Sequence, residues 1–293
     1  MLNLNLKEIY LSKKEPIISY EVFPPKNDSD GTKTEKLFSE LEILKRHNPS
    51  LISVTYGAGG SVHNESLEIV KRIKNNLNVT PLPHFTCVSM SKKNIKAYLE
   101  NLGNIGVKNI LALRGDIPEN QEYCHDFLHA SELVDYIKNE TDLSVAVAGY
   151  PEGHTESKSL KDDIKYLKLK VSKGADVLYT QLFFNNNKYY DFAQRCIDNG
   201  IDIPVIPGIM PVTNYNSLCK MVSLCRVDLP KDFLEKIEQH KDDKDYILKY
   251  GIEYASNQCK DLIENNVKGL HFYTLNKSCA VNEILNNIQR ATK

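Results

Sequence analysis

One carboxylate, Glu21, sits near the end of the β-rich run PIISYEVFPP at 16–25. In a strand, side chains alternate faces, so Ser19, Glu21 and Phe23 share one side and Ile18, Tyr20 and Val22 the other. At a buried mouth such a Glu can act as an acid, whereas on an edge strand it is merely solvated. Other β-rich runs also end in polar residues: Thr55, His84, Arg114 with Asp116, Tyr150 with His154, Gln181, and Tyr273 with Asn276. The seventh run ends in no obvious polar group, and the N-terminal ends of the runs show no comparable set.

Taken singly, each of these residues has a structural explanation. His84 reads first as a hydrogen-bonded core histidine, Arg114 and Asp116 equally as a local ion pair around Gly115, and Gln181 as a cap for backbone groups. Glu21, His84 and Asp116 could also form a metal triad, which keeps a metal-dependent lyase or hydrolase open. No G-x-S-x-G elbow supports a nucleophilic serine. On the helical stretch 159–173, Asp163, Tyr166 and Lys170 fall at i, i+3 and i+7 beside a stripe of Leu160, Ile164, Leu167 and Val171. That face could address a ribose hydroxyl and a phosphate, or it could simply be solvated.

The elements that must position these residues alternate. Strands are predicted at 16–23, 51–55, 82–87, 109–113, 143–148, 176–181, 203–206 and 269–274. Helices are predicted between them at 34–47, 66–77, from an N-cap at Ser91, 130–138, 159–173, 188–198, 217–225 and 245–265, and after the last strand at 279–289. Alternating strands and helices imply right-handed crossovers and a parallel sheet. Such units in this length favour an α/β fold of the (β/α)8 TIM-barrel type, a single domain over 1–293 with an extra helical insertion near 228–245. An open doubly wound sheet would want G-x-G-x-x-G at the first strand–helix turn. That turn is FPPK at 23–26. In a barrel the polar residues above gather at the C-terminal mouth, where such folds carry their active sites.

Composition narrows the classes. A chain of 293 residues with 41% apolar and 26% charged residues can bury a core without disulfide or metal staples. A net charge of -1 argues against nucleic-acid binding. Seven scattered cysteines without C-x-x-C spacing suggest reduced thiols. No signal peptide and no membrane-length apolar run are evident, so a cytoplasmic location and no membrane partner are expected.

Eight segments in order carry a family resemblance: YEVFPP (20–25), SVTYGA (53–58), PHFTC (83–87), ALRGD (112–116), AGYPEGH (148–154), TQLFF (180–184), PGIMP (207–211) and HFYTLN (271–276). The chain resembles the methylenetetrahydrofolate reductases of the short bacterial type over nearly its whole length. The resemblance implies a barrel that takes a hydride from NADH or NADPH onto FAD. The hydride then passes to 5,10-methylenetetrahydrofolate, giving 5-methyltetrahydrofolate by a ping-pong scheme. It implies Glu21 as the general acid toward the folate N10 and Asp116 as a carboxylate near flavin and pterin. FAD contacts are implied at Thr55, Tyr56, Ala58, His84, Arg114, Gly115, Asp116, His129, Ala130, Tyr150, His154, Asp163 and Lys170. Tyr166 joins them, although it and Leu169 stand where related enzymes carry polar or basic residues. Glu21, Asp116, Gln181, Tyr273 and Lys277 are the implied folate positions. Ser217 and Met221 replace a glutamine and an aromatic. No metal, no added C-terminal regulatory domain and a homo-oligomeric assembly are expected. Two alternatives stay open: a related FAD barrel oxidising an amino acid such as proline, and a pterin-binding methyltransferase barrel without flavin.

Overall fold

Eight parallel strands close into a barrel in chain order: β1 (Ile17–Val22), β2 (Leu51–Val54), β3 (Thr80–Thr86), β4 (Asn109–Leu113), β5 (Ser144–Gly149), β6 (Val177–Leu182), β7 (Val205–Ile209) and β8 (Gly269–Tyr273). The computed structural model describes residues 4–12, 15–56, 62–117 and 126–291. A short helix, α1 (Leu6–Ser12), precedes β1. Around the barrel run α2 (Thr32–Lys45), α3 (Val62–Arg72), α4 (Lys92–Ile105), α5 (Ala130–Glu140), α6 (Leu160–Ser172), α7 (Asn186–Asp198), α8 (Tyr215–Cys225), α9 (Lys231–Gln239), α10 (Lys244–Glu264) and α11 (Cys279–Ala291). Among the described residues, no helix is long and apolar enough to cross a membrane.

The strands are apolar on both faces, as a buried parallel sheet requires. Outward residues such as Tyr20, Val22, Ile52, Val54 and Phe85 pack against the helices in one continuous core. Inside, the lowest layer is formed by Ile17, Leu51, Leu82, Leu111, Val177 and Ile206, and α1 packs Leu6, Ile9 and Tyr10 against it. The Tyr10 hydroxyl reaches that of Tyr179 at 2.8 Å. The next layer up is polar yet buried: Ser19, Ser53, His84 and His271. Ser19 Oγ lies 2.8 Å from His271 Nδ1. The interior therefore changes from apolar to polar toward the end where Glu21 stands.

The structure adds one element to the sequence expectations and corrects two. Helix α1 carries a capping box that escaped the reading, with the Glu8 N–H donating to Asn5 Oδ1 (2.9 Å) and the Asn5 N–H donating to Glu8 Oε2 (2.8 Å). Strand β7 extends through Pro207 and Gly208, beyond the 203–206 that the pattern predicts. Pro207 is tolerated because the β6–β7 register shifts between Tyr179 and Leu182, and the Gly208 N–H donates to Thr180 Oγ1 at 2.9 Å instead of to a strand carbonyl. The N-terminal ends of the strands do hold a polar group. Asp176 accepts from Ser144 Oγ and the Val145 N–H, each at 2.8 Å, and pairs with Lys7 at 3.0 Å and Lys138 at 3.3 Å. Those groups satisfy one another and anchor α1.

Helix α9 lies between α8 and α10. It buries Phe233 and Ile237, and Phe233 stacks on Phe184 just beyond β6.

Candidate active site

Glu21 is fixed by its own backbone before its side chain does anything. Its carbonyl accepts from Thr274 Oγ1 at 2.7 Å. One residue pair further out, Asn276 clasps Phe23 through both backbone groups, donating to its carbonyl (2.8 Å) and accepting from its N–H (3.0 Å). The β8 loop thus staples the end of β1 and aims the Glu21 side chain into the mouth. There its side chain is 22% exposed, and Oε2 lies 3.6 Å from His84 Nε2.

Burial decides the charge state of this pair. Withdrawal from water pushes the Glu21 carboxyl up to about 8 and the His84 imidazole down to about 4. His271, beneath them, is pushed down to about 3 by burial and by His84. At neutral pH the mouth therefore holds a neutral carboxylic acid beside a neutral imidazole, and the 3.6 Å contact is not an ion pair. A proton held at that position is available for donation. His84 Nε2 is buried and has no hydrogen-bond partner within the described protein.

A cavity of about 370 Å3 opens above Glu21, with Thr55, Tyr56, Gln181, Met221 and Tyr273 in its wall. Tyr273 crosses to β6, where its hydroxyl donates to the Thr180 carbonyl at 2.6 Å. Gly208 makes that crossing possible. A Cβ there would stand 2.4 Å from Thr180 O and 2.7 Å from the Tyr273 ring. The seventh strand contributes space rather than a polar group.

A second cavity of about 470 Å3 lies to the side, between α5 and α6, and shares Leu113, Ala148 and Tyr150 with the first. His129 caps α5, whose first residues, Ala130 and Ser131, line this cavity, while the Glu132 carboxylate accepts from the Leu128 (2.6 Å) and His129 (3.1 Å) N–H groups at the same helix start. Lys170 reaches inward and donates to the Ala148 carbonyl at 2.5 Å. Burial lowers its ammonium to about 8, against the pull of Asp163. Tyr150 and His154 meet edge to face at 4.6 Å. His154 Nδ1 accepts the Glu156 N–H at 3.1 Å, and burial lowers this imidazole too. Arg114 forms a two-pronged pair with Glu156, at 2.6 and 2.7 Å, which raises the guanidinium and lowers the carboxyl. The ion pair weighed for Arg114 with Asp116 is thus made with Glu156 instead.

Most of the sequence-derived site residues gather at these two cavities. Thr55, Tyr56, His84, Gln181 and Tyr273 line the mouth with Glu21. Arg114, His129, Ala130, His154, Asp163, Tyr166 and Lys170 line the side cavity, and Tyr150 lines both. Asp163 Oδ1 accepts from the His154 N–H (3.3 Å) and Ser157 Oγ (3.0 Å), tying down the β5–α6 loop. Gly115 adopts φ +86, and a Cβ there would meet Val88 at 2.7 Å, so only glycine fits that turn. Asp116 and Lys277 are exposed and stand outside the lining of both cavities. Ala58 lies outside the described residues. Among the described residues, no group of three His, Cys, Asp or Glu side chains could hold a metal. Glu21 and His84 meet without Asp116, which removes the basis of the metal triad.

Glu156, Gly208 and His271 escaped the sequence reading. His271 was accessible in principle, since it shares the inward face of β8 with Tyr273 by simple alternation.

The model of the methylenetetrahydrofolate reductase family matches residues 6–289. The chain belongs to this family. Within it, the chain is 40% identical over 267 residues to the 5,10-methylenetetrahydrofolate reductase of Buchnera aphidicola, covering 91% of this chain and 89% of that protein. It is 34% identical to the Escherichia coli enzyme of the same name, covering 89% and 86%. Methylenetetrahydrofolate reductase (NADH) 1 of Arabidopsis thaliana is 35% identical over 285 residues. The match covers 92% of this chain but 48% of that protein, so the chain spans about half the length of the plant relatives. Among solved structures, a Clostridium thermocellum protein that binds two copies of 5-methyl-5,6,7,8-tetrahydrofolic acid superposes with a TM-score of 0.67 over 98% of both chains, at 13% identity. An aldo-keto reductase from Klebsiella pneumoniae in complex with NADPH gives 0.55 at 15% identity. Likeness at that level is likeness of fold, and barrels of this fold carry many chemistries. Family membership rests on the sequence.

Proposed function

We propose that the protein reduces 5,10-methylenetetrahydrofolate to 5-methyltetrahydrofolate, with FAD as its resident cofactor and NADH or NADPH as reductant. The observation that carries this reading is Glu21. It is a carboxylic acid kept protonated at neutral pH, in the wall of a cavity that shares Leu113, Ala148 and Tyr150 with a cation-bearing one. Family membership supplies the substrate class, and the two cavities fit an elongated, anionic cofactor. The ammonium of Lys170 and the polar edge of His154 suit a diphosphate, and the partnerless His84 Nε2 suits a polar ring edge at the mouth.

When bound, FAD supplies the redox chemistry, taking a hydride from the nicotinamide and giving one to the folate. The chain's own contribution is positional and acid–base. Glu21 delivers its proton to the folate N10, which breaks the bond between N10 and the bridging methylene. The methylene, left as an iminium on N5, then accepts the hydride and becomes the methyl group. His84, neutral at 3.6 Å, leaves the proton on Glu21 rather than drawing it away. Tyr273, level with Glu21 on the neighbouring strand, and Gln181 wall the same cavity, where the pterin would lie to reach Glu21.

Purified protein supplied with FAD, NADH and methylenetetrahydrofolate is expected to form 5-methyltetrahydrofolate, measured by chromatography. A protein that stays colourless, gains no flavin absorbance and forms no product would refute the proposal and favour the flavin-free pterin barrel.

A further inference from the structure

The outer wall of the side cavity is chemically unlike its interior. Tyr166 is 60% exposed and Leu169 is 44% exposed, both line the cavity, and both stand on α6 beside the inward-facing Asp163 and Lys170. Among the described residues, no hydrogen bond or ring contact engages Tyr166. A large aromatic and a leucine held in water at the lip of a ligand cavity represent apolar surface without a protein partner. A ligand that follows the wall from Lys170 outward meets a cation first and a flat apolar platform second. That sequence matches a diphosphate followed by a purine.

We propose that Tyr166, backed by Leu169, is the stacking platform for the adenine ring of FAD, and that this chain tells FAD from FMN by that contact. The inference rests on the flavin reading above and adds to it a specificity-determining residue. FMN ends at its phosphate and leaves the platform bare, whereas FAD covers it. Because the contact is between uncharged rings, it is insensitive to ionic strength, unlike a basic residue at the same place.

Apoprotein is titrated with FAD and with FMN, following flavin fluorescence, for wild type, Tyr166→Ala and Tyr166→Phe. A thermal melt of each apoprotein checks the fold, which an exposed side chain should leave unchanged. Tyr166→Ala is expected to weaken FAD about tenfold to a hundredfold, the usual worth of a base on an aromatic ring. FMN affinity should be unchanged, and Tyr166→Phe should retain FAD binding. Equal losses for FAD and FMN, or FAD binding by Tyr166→Ala at the wild-type affinity, would overturn the proposal. A wild-type protein that binds neither flavin would refute the flavin reading itself, a result distinct from either of those.

Discussion

Glu21→Gln is expected to yield a more stable protein that reduces methylenetetrahydrofolate far more slowly. Burial raises the folded-state pKa of Glu21 from 4.5 to about 8. Between those values the folded protein holds the proton that the unfolded chain releases. The stability associated with the neutral acid is therefore complete below about 4.5 and is lost as pH rises toward 8. At pH 7 glutamine, which never ionises in either state, should stabilise the fold by up to about 3 kcal/mol. Loss of the general acid should slow transfer to the folate by roughly 10²–10⁴-fold while leaving bleaching of the flavin by NADH intact. Thermal melts across pH 5–9 and rapid mixing for each half of the reaction measure both effects. A variant that is less stable at pH 7, or slowed equally in both halves, would mean that Glu21 holds the mouth together rather than supplying a proton.

Lys170→Met is the second large effect, and it also opposes stability to function. The ammonium is depressed from 10.5 to about 8, chiefly by burial. The sign is opposite to that of Glu21. The folded state gives up this proton more readily, so stability is complete only above about 10.5 and falls as pH drops through 8. Methionine fills a similar volume without the charge and should stabilise the apoprotein at pH 7 by up to about 3 kcal/mol. The same change removes a charge-assisted donor toward an anionic cofactor and should weaken FAD about tenfold to a hundredfold. Calorimetry of the apoprotein and FAD titration check the two halves. An apoprotein destabilised by the change and binding FAD as before would show that Lys170 serves the Ala148 carbonyl alone. Both sites keep an ionisable group at an energetic cost, the pattern expected where stability yields to activity.

The barrel was legible because its local signals agree. Apolar strand runs, the N-cap at Ser91 and the helical stretch 159–173 all point to the same alternation. Residues that act at strand ends were legible by alternation, which brought Glu21, His84, Gln181 and Tyr273 to one mouth. What escaped depends on contacts between distant residues. Glu156 meets Arg114 across 42 positions of chain, and nothing local in either marks the pair. Asp163 spends its oxygen on the loop above it, a use that helical spacing does not reveal. Pro207 in β7 broke a sound rule about proline, and only the register shift at Tyr179 shows why it is allowed. Gly208 registers in sequence as an absence of side chain, and its meaning comes from Tyr273 passing over it.

The pH dependence of folate reduction by the reduced, FAD-loaded protein tests the central claim most directly. With oxygen excluded, the rate at which methylenetetrahydrofolate restores the flavin colour is followed from pH 6 to 9.5. A protonated Glu21 as the acid predicts a rate that is level through neutral pH and falls with a single ionisation near 8, and a slow, flat profile in Glu21→Gln. A wild-type rate that does not change across that range, or a variant that follows the wild-type curve, would contradict it.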